Sequence, residues 1–166
     1  MRPRLPRAFF GWALGIVVLD QITKAIVHRS MTLNGEPIPL LGETLRLIYI
    51  HNPGAAFGLF YGSRWFFVGV SLLSVLVLIS LVQSGRYRDR WLLVSFGMIA
   101  GGALGNVLDR LWLGVVIDFI QMGIAGHYWP VYNVADIGVT GGVSLLALRL
   151  LRDRTPPPEE APEDPA

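Results

Sequence analysis

Asp118 and Asp136 each stand alone inside a strongly apolar stretch, in VVIDF and YNVAD, at the same end of two successive hydrophobic segments. A carboxylate at a membrane boundary is costly unless it is used. Two carboxylates held close cannot both ionise easily, so near neutral pH one keeps its proton while the other can accept one. Such a pair carries an acid and a base in one site. It can deprotonate water for attack on a carbonyl and then protonate the leaving nitrogen, which hydrolyses an amide without a metal or a covalent intermediate. The competing chemistries lack their parts. The chain has no cysteine, which excludes a thiol nucleophile, thiolate metal sites and disulfides. It has no H-E-x-x-H, and His28, His51 and His127 are isolated in the sequence; it has no G-x-S-x-G, a pattern whose absence still leaves open a serine on a different framework. No cofactor and no metal is expected.

The elements that must position these carboxylates are membrane helices. Hydrophobic residues make up 52% of the 166 residues and charged residues 16%, with a mean hydropathy of +0.50, outside the usual range for a soluble domain. Crossing roughly 30 Å of hydrocarbon takes about 20 residues of helix. Four stretches are long enough: Phe9–Val27, Trp65–Val82, Trp91–Trp112 and Val131–Leu151. Their continuous apolar character, without two-residue alternation, excludes a barrel. Asp20-Gln21-Ile22-Thr23-Lys24 stands where a small-residue cleavage site would end a secretory leader, so the first apolar run is read as a retained helix.

Orientation follows from the basic residues. Arg2, Arg4 and Arg7 precede the first helix, Arg86, Arg88 and Arg90 lie between the second and third, and Arg149, Arg152 and Arg154 end the fourth, nine of the fourteen basic residues on one side. The positive-inside rule makes that side cytoplasmic, with both termini inside. The net charge of +2 and the pI near 9.3 therefore reflect topology, and no nucleic-acid partner is implied.

The fold expected is an all-α membrane protein of four transmembrane helices with a small β-containing extracytoplasmic region between the first two. Turn signals at Asn34-Gly35 and Pro37-Ile38-Pro39 and the partly alternating Thr44–Ile50 predict a short strand or small sheet there. Residues 1–154 form one domain. Thr155–Ala166, TPPPEEAPEDPA, is expected to be a disordered cytoplasmic tail without chemistry. Gly11/Gly15, Gly97/Gly101/Gly105 and Gly138/Gly142 share four-residue spacing, which predicts close helix packing within a monomer.

Nearly every polar residue embedded in apolar sequence falls at the outer helix ends. Asp20 and Lys24 are i,i+4 on the first helix, Asn106, Asp109 and Arg110 end the third, Asn52 and Gly54 come from the outer loop, and Asn133 and Asp136 open the fourth. Any one of them could be an interface anchor or a helix cap. Their convergence on one end, with no matching set at the other, argues for a site. A proton or ion path would need polar residues reaching both sides and usually repeats. A membrane adaptor would tolerate asparagine at both aspartates.

These residues lie in five ordered motifs: DQITK (Asp20–Lys24), HNPGAAFGLF (His51–Phe60), GGALGNVLDRL (Gly101–Leu111), VVIDF (Val115–Phe119) and YNVAD (Tyr132–Asp136). The set resembles lipoprotein signal peptidase, or signal peptidase II, a bacterial intramembrane aspartyl peptidase, from the first helix to the fourth. The G-x-G-D context of other intramembrane aspartyl proteases is missing around both aspartates. The resemblance implies that Asp118 and Asp136 are catalytic and that Asp20, Lys24, Asn52, Gly54, Asn106, Asp109, Arg110, Asn133 and Ala135 shape the site or support the substrate. It further implies cleavage of a prolipoprotein just before a diacylglyceryl-modified cysteine, at the outer face of the inner membrane and among its lipids, and inhibition by the cyclic peptide globomycin. Two positions depart from the family pattern: Tyr132 stands where phenylalanine is usual, and Ile137 where a small or hydroxyl residue follows the second aspartate.

Overall fold

The computed structural model describes residues 6–54 and 62–153. The tail, Arg2, Arg4 and Arg154, and Ala55–Phe60 of the HNPGAAFGLF motif with its Gly58 lie outside the described residues. The chain runs α1 (Arg7–Ser30), β1 (Ile38–Leu41), β2 (Leu45–Asn52), α2 (Arg64–Gln83), α3 (Arg90–Leu113), β3 (Val116–Ile124), β4 (His127–Tyr128) and α4 (Val134–Asp153). All four helices are long and apolar enough to cross a membrane. Tryptophans flank the spans at both ends: Trp65, Trp112 and Trp129 are exposed at the sheet end, Trp12 and Trp91 at the other, as amphipathic rings at a membrane interface should be.

The central helix is α3, with 56% of its apolar window buried against 22% or less in the others. Its composition explains this. A side chain at Gly97 would strike the carbonyl of Phe9, one at Gly101 the carbonyl of Ala13, and one at Gly102 the carbonyl of Ala135, so α1 and α4 press directly on the α3 backbone. Without a hydrophobic driving force between helices in lipid, such close backbone approach is what holds them together. Gly138 and Gly142 serve α4 in the same way, against Ile16 and the Ser95 carbonyl. Gly11 and Gly15 do not, because a Cβ at either would meet nothing within 4 Å. Packing by α1 instead uses the face carrying Phe9, Ala13, Asp20, Lys24 and Val27.

The sheet departs from expectation. It has four antiparallel strands in the order β1-β2-β3-β4, so half of it comes from the connection between α3 and α4 rather than from the loop between α1 and α2. The third helix ends one residue beyond the expected Trp112, where Gly114 stops it in the left-handed conformation (φ 81°), its N–H bonded to the Arg110 carbonyl. The following β-branched run then pairs with β2. The start of α4 also moves, from the expected Val131 to Val134, because Tyr132 is held in the sheet: its N–H donates to the Ile120 carbonyl at 2.9 Å and its carbonyl accepts from Ile120 at 2.8 Å.

Between Leu47↔Ile120 and Ile50↔Asp118 the β2–β3 register slips by one residue, so Ile48 and Tyr49 oppose Phe119 alone. This bulge turns Tyr49 inward, where it is buried with Val27, Ile117 and Phe119. Its hydroxyl lies 2.7 Å from His28 Nδ1 and 2.8 Å from His51 Nε2, so two histidines isolated in the sequence meet through one tyrosine and fasten β2 to the end of α1.

Candidate active site

The site is assembled where the sheet meets the ends of α1, α3 and α4. On the sheet, Asn52 pairs with Val116 and Ile50 with Asp118, so Asn52 and Asp118 share a face as diagonal neighbours. Asn52 Nδ2 donates to Asp118 Oδ2 at 2.8 Å, and its Oδ1 accepts the Gly54 N–H at 3.0 Å, which pins the loop as it leaves the strand.

The second carboxylate belongs to a helix cap. Asn133 precedes the first residue of α4; its Oδ1 accepts the Asp136 N–H at 2.9 Å while Asp136 Oδ2 accepts the Asn133 N–H at 3.1 Å, a reciprocal capping box. The amide of Asn133 then reaches out of the cap to donate to Asp118 Oδ1 at 2.7 Å, with Asn106 Oδ1 at 3.1 Å and the Ile117 carbonyl at 3.2 Å as further acceptors. Asn106 Nδ2 donates to Asp136 Oδ1 at 2.9 Å. All four carboxylate oxygens of Asp118 and Asp136 thus receive an N–H, and three asparagines hold the two side chains in register. Ile137 is not needed for this support, since both oxygens of Asp136 are bonded without it.

Behind Asn106 lies a buried charge cluster. Lys24 Nζ contacts Asp20 Oδ2 and Asp109 Oδ2, each at 2.8 Å, and donates to Asn106 Oδ1 at 3.0 Å. These use all three protons of the ammonium. Because a lysine can only donate, Asn106 must turn its oxygen to Lys24 and its amide nitrogen to Asp136. The two carboxylates have further roles: Asp20 Oδ1 accepts the Ala135 N–H at 2.9 Å, satisfying a donor in the first turn of α4, and Asp109 Oδ2 accepts the Ile117 N–H at 3.1 Å, anchoring β3. Gln21 bridges them, donating to Asp20 Oδ2 at 3.1 Å and Asp109 Oδ1 at 3.0 Å. It was not among the expected site residues, although an amide beside Asp20 in an apolar helix was the available signal.

Arg110, almost fully buried, donates to the Gly54 carbonyl at 3.1 Å and sits 4.8 Å from the centre of the Phe67 ring. With Asn52, Asn106, Asp118, Tyr132 and Asp136 it lines a cleft of about 340 Å³. A larger apolar groove of about 580 Å³ continues past Tyr132 and Asp136 along Ile137, Thr140 and Gly141 of α4. Every site residue expected from the sequence is therefore drawn into one connected arrangement: Asn52, Gly54, Asn106, Arg110, Asp118 and Asp136 at the cleft, and Asn133, Asp20, Lys24, Asp109 and Ala135 in the layer behind it.

Burial raises the Asp118 carboxyl to about 7, the charge of Asp136 adds to the rise, and the hydrogen bonds from Asn52 and Asn133 and the charge of Lys24 only partly offset it. Asp136 stands in the first turn of α4. Asp118 is suited to hold a proton near neutral pH.

Residues 12–152 match the family model of signal peptidase (SPase) II. The chain belongs to the signal peptidase II family. All five motifs fall inside that match. The chain is 42% identical to the lipoprotein signal peptidase of Symbiobacterium thermophilum over 84% of its own length and 91% of that protein's. It is 44% identical to the lipoprotein signal peptidase of Syntrophomonas wolfei over 86% and 93%. A bacterial membrane enzyme solved by the in meso method at 2.3 Å resolution superposes with a TM-score of 0.81 at 30% identity, over 90% of both chains. The chain is a peptidase of this family with four membrane-spanning helices.

Proposed function

We propose that the chain removes the signal peptide from prolipoproteins whose cysteine already carries a diacylglyceryl group, using Asp118 and Asp136 as the catalytic pair. The observation that carries this reading is the meeting of the two carboxylates on one cleft, with every oxygen held by an amide donor. In the reaction proposed, Asp136 takes a proton from water as its oxygen attacks the scissile carbonyl, and Asp118 gives its proton to the carbonyl oxygen. On collapse of the tetrahedral species Asp136 passes its proton to the leaving nitrogen and Asp118 recovers one from a hydroxyl, so both groups return to their starting states. The family resemblance adds globomycin as an expected inhibitor, and a monomer suffices because the pair comes from one chain.

The arginine distribution supports a site on the extracytoplasmic side with both termini inside. A reporter inserted near Gly35 is expected to be active only outside and one fused after Leu151 only in the cytoplasm; the reverse pattern would sink this placement. A signal peptide and two acyl chains are apolar and can reach such a site from the bilayer, while water arrives from outside.

Binding of the lipid, remote from the scissile bond, can be used to position that bond. Purified protein in detergent should therefore cleave a diacylglyceryl-modified prolipoprotein at least about a hundredfold faster than the unmodified precursor, an effect of roughly 3 kcal/mol. Equal rates, followed on a gel, would count against the substrate assignment.

A further inference from the structure

At the opposite end of the bundle a smaller groove of about 180 Å³ opens between α3 and α4, walled by Trp91, Leu145, Leu148, Arg149 and Arg152. It lies roughly 20 Å along α4 from Asp136, at about 1.5 Å per residue, and takes no part in the site. Positions 145, 148, 149 and 152 recur at helical spacing and form one face of α4. The two leucines lie within the apolar span, Leu148 strongly exposed, and the two arginines close its end. Asp89, which caps α3 by accepting the Leu92 N–H at 3.0 Å, pairs with Arg149 at 3.3 Å and so ties that arginine to the turn that carries Trp91.

The groove is thus apolar on the bilayer side and cationic at its mouth, and charge selects its occupant. Among the described residues this end carries Arg7, Arg86, Arg88, Arg90, Arg149 and Arg152 against Asp89 and Asp153. Lys24 is the only lysine in the chain and is buried in the site, so every cation here is a guanidinium, whose fork matches two phosphate oxygens at once. A zwitterionic head group would bring its own cation toward this surplus; an anionic one would not.

We propose that this groove binds one anionic phospholipid, with an acyl chain against Leu145, Leu148 and Trp91 and the phosphate held by Arg149 and Arg152. Paired basic residues between helices at a membrane boundary are suited to such head groups.

Native mass spectrometry of the full-length protein in detergent, titrated with phosphatidylglycerol or phosphatidylcholine, tests it. One saturable phosphatidylglycerol adduct is expected, at least about tenfold tighter than phosphatidylcholine. Arg152→Gln should weaken it severalfold and Arg149→Gln/Arg152→Gln by tenfold or more, while Arg86→Gln/Arg88→Gln, which removes the same charge from the same end without touching the groove, should change it less than threefold. Prolipoprotein cleavage in detergent should be unaltered in all three variants, so the lipid site and the peptidase reading stand or fall separately. Equal losses in the two double variants would show diffuse surface attraction and overturn the site, as would equal binding of the two lipids. Displacement of the adduct by millimolar inorganic phosphate would show a free-anion site and overturn the lipid assignment.

Discussion

Asp118→Asn and Asp136→Asn each lower the rate of prolipoprotein cleavage by on the order of 10³-fold or more, with insertion into the membrane retained. General acid–base catalysis by one positioned group contributes roughly 10²–10⁴-fold, and here each residue must both give and take a proton in every turnover. Asparagine keeps the size of the carboxylate and one oxygen acceptor, but it cannot exchange a proton. It also presents an amide N–H to a neighbour that is itself a donor: Asn52 or Asn133 at Asp118, Asn106 or the Asn133 backbone at Asp136. The double variant should be scarcely slower than either single one, because groups that act as a unit are not additive.

The pH profile carries the same argument. Burial and the charge of Asp136 raise Asp118 to about 7, so its proton is present below that value and lost above it. Turnover by the wild type should fall as pH rises through about 7, as Asp118 loses the proton it must donate. A single-asparagine variant that is folded and keeps a tenth of wild-type turnover would rule out the two-aspartate mechanism. A rate that keeps rising with pH to 9 would remove Asp118 as the acid.

Lys24→Met should destabilise the protein by about 3–5 kcal/mol, the usual cost of removing one partner from a buried ion pair. In a chain of this size that lowers the unfolding midpoint by roughly 10 °C. Methionine nearly matches the length of the lysine stem, so packing is little altered. What is lost is the one ammonium between two carboxylates that are 0% and 4% exposed. Asp20 and Asp109 would then face each other with only the Gln21 amide between them, and Asn106, released from a partner that can only donate to its oxygen, could turn that oxygen toward Asp136. Thermal unfolding in detergent measures the first effect. Lys24→Met/Asp109→Asn, which removes one of the stranded charges, should recover part of the lost stability. A midpoint within 3 °C of wild type for Lys24→Met would show that the cluster is solvated and does not organise the site.

The sequence by itself determined the four membrane-spanning helices and marked the polar residues that meet at the candidate site. Both rest on local contrasts. Apolar runs of about 20 residues mark the spans, and an aspartate, lysine or asparagine inside such a run is costly enough to mark itself, as Asp20, Lys24, Asn106 and Asp136 do, while Asp118 marks itself in the shorter run between two spans. The glycines of α3 likewise announced a helix pressed against its neighbours. Less could be read where an apolar run is shorter. Val116–Ile124 is as compatible with the fraying end of a helix as with a strand, and only its pairing with β2, some 70 residues earlier, decides between them. The bulge that buries Tyr49 and joins His28 to His51 exists only once β2 is matched against β3. The same holds for Asn133, which the sequence marks as a helix cap; tertiary structure makes it the bridge between the carboxylates of a strand and a helix. Hydrophobicity is a property each residue carries alone, so it is legible in order along the chain. The register of β2 on β3 and the bonds that join Asp118 to Asn52 and Asn133 belong to pairs of residues brought together by folding, and no single motif contains both members.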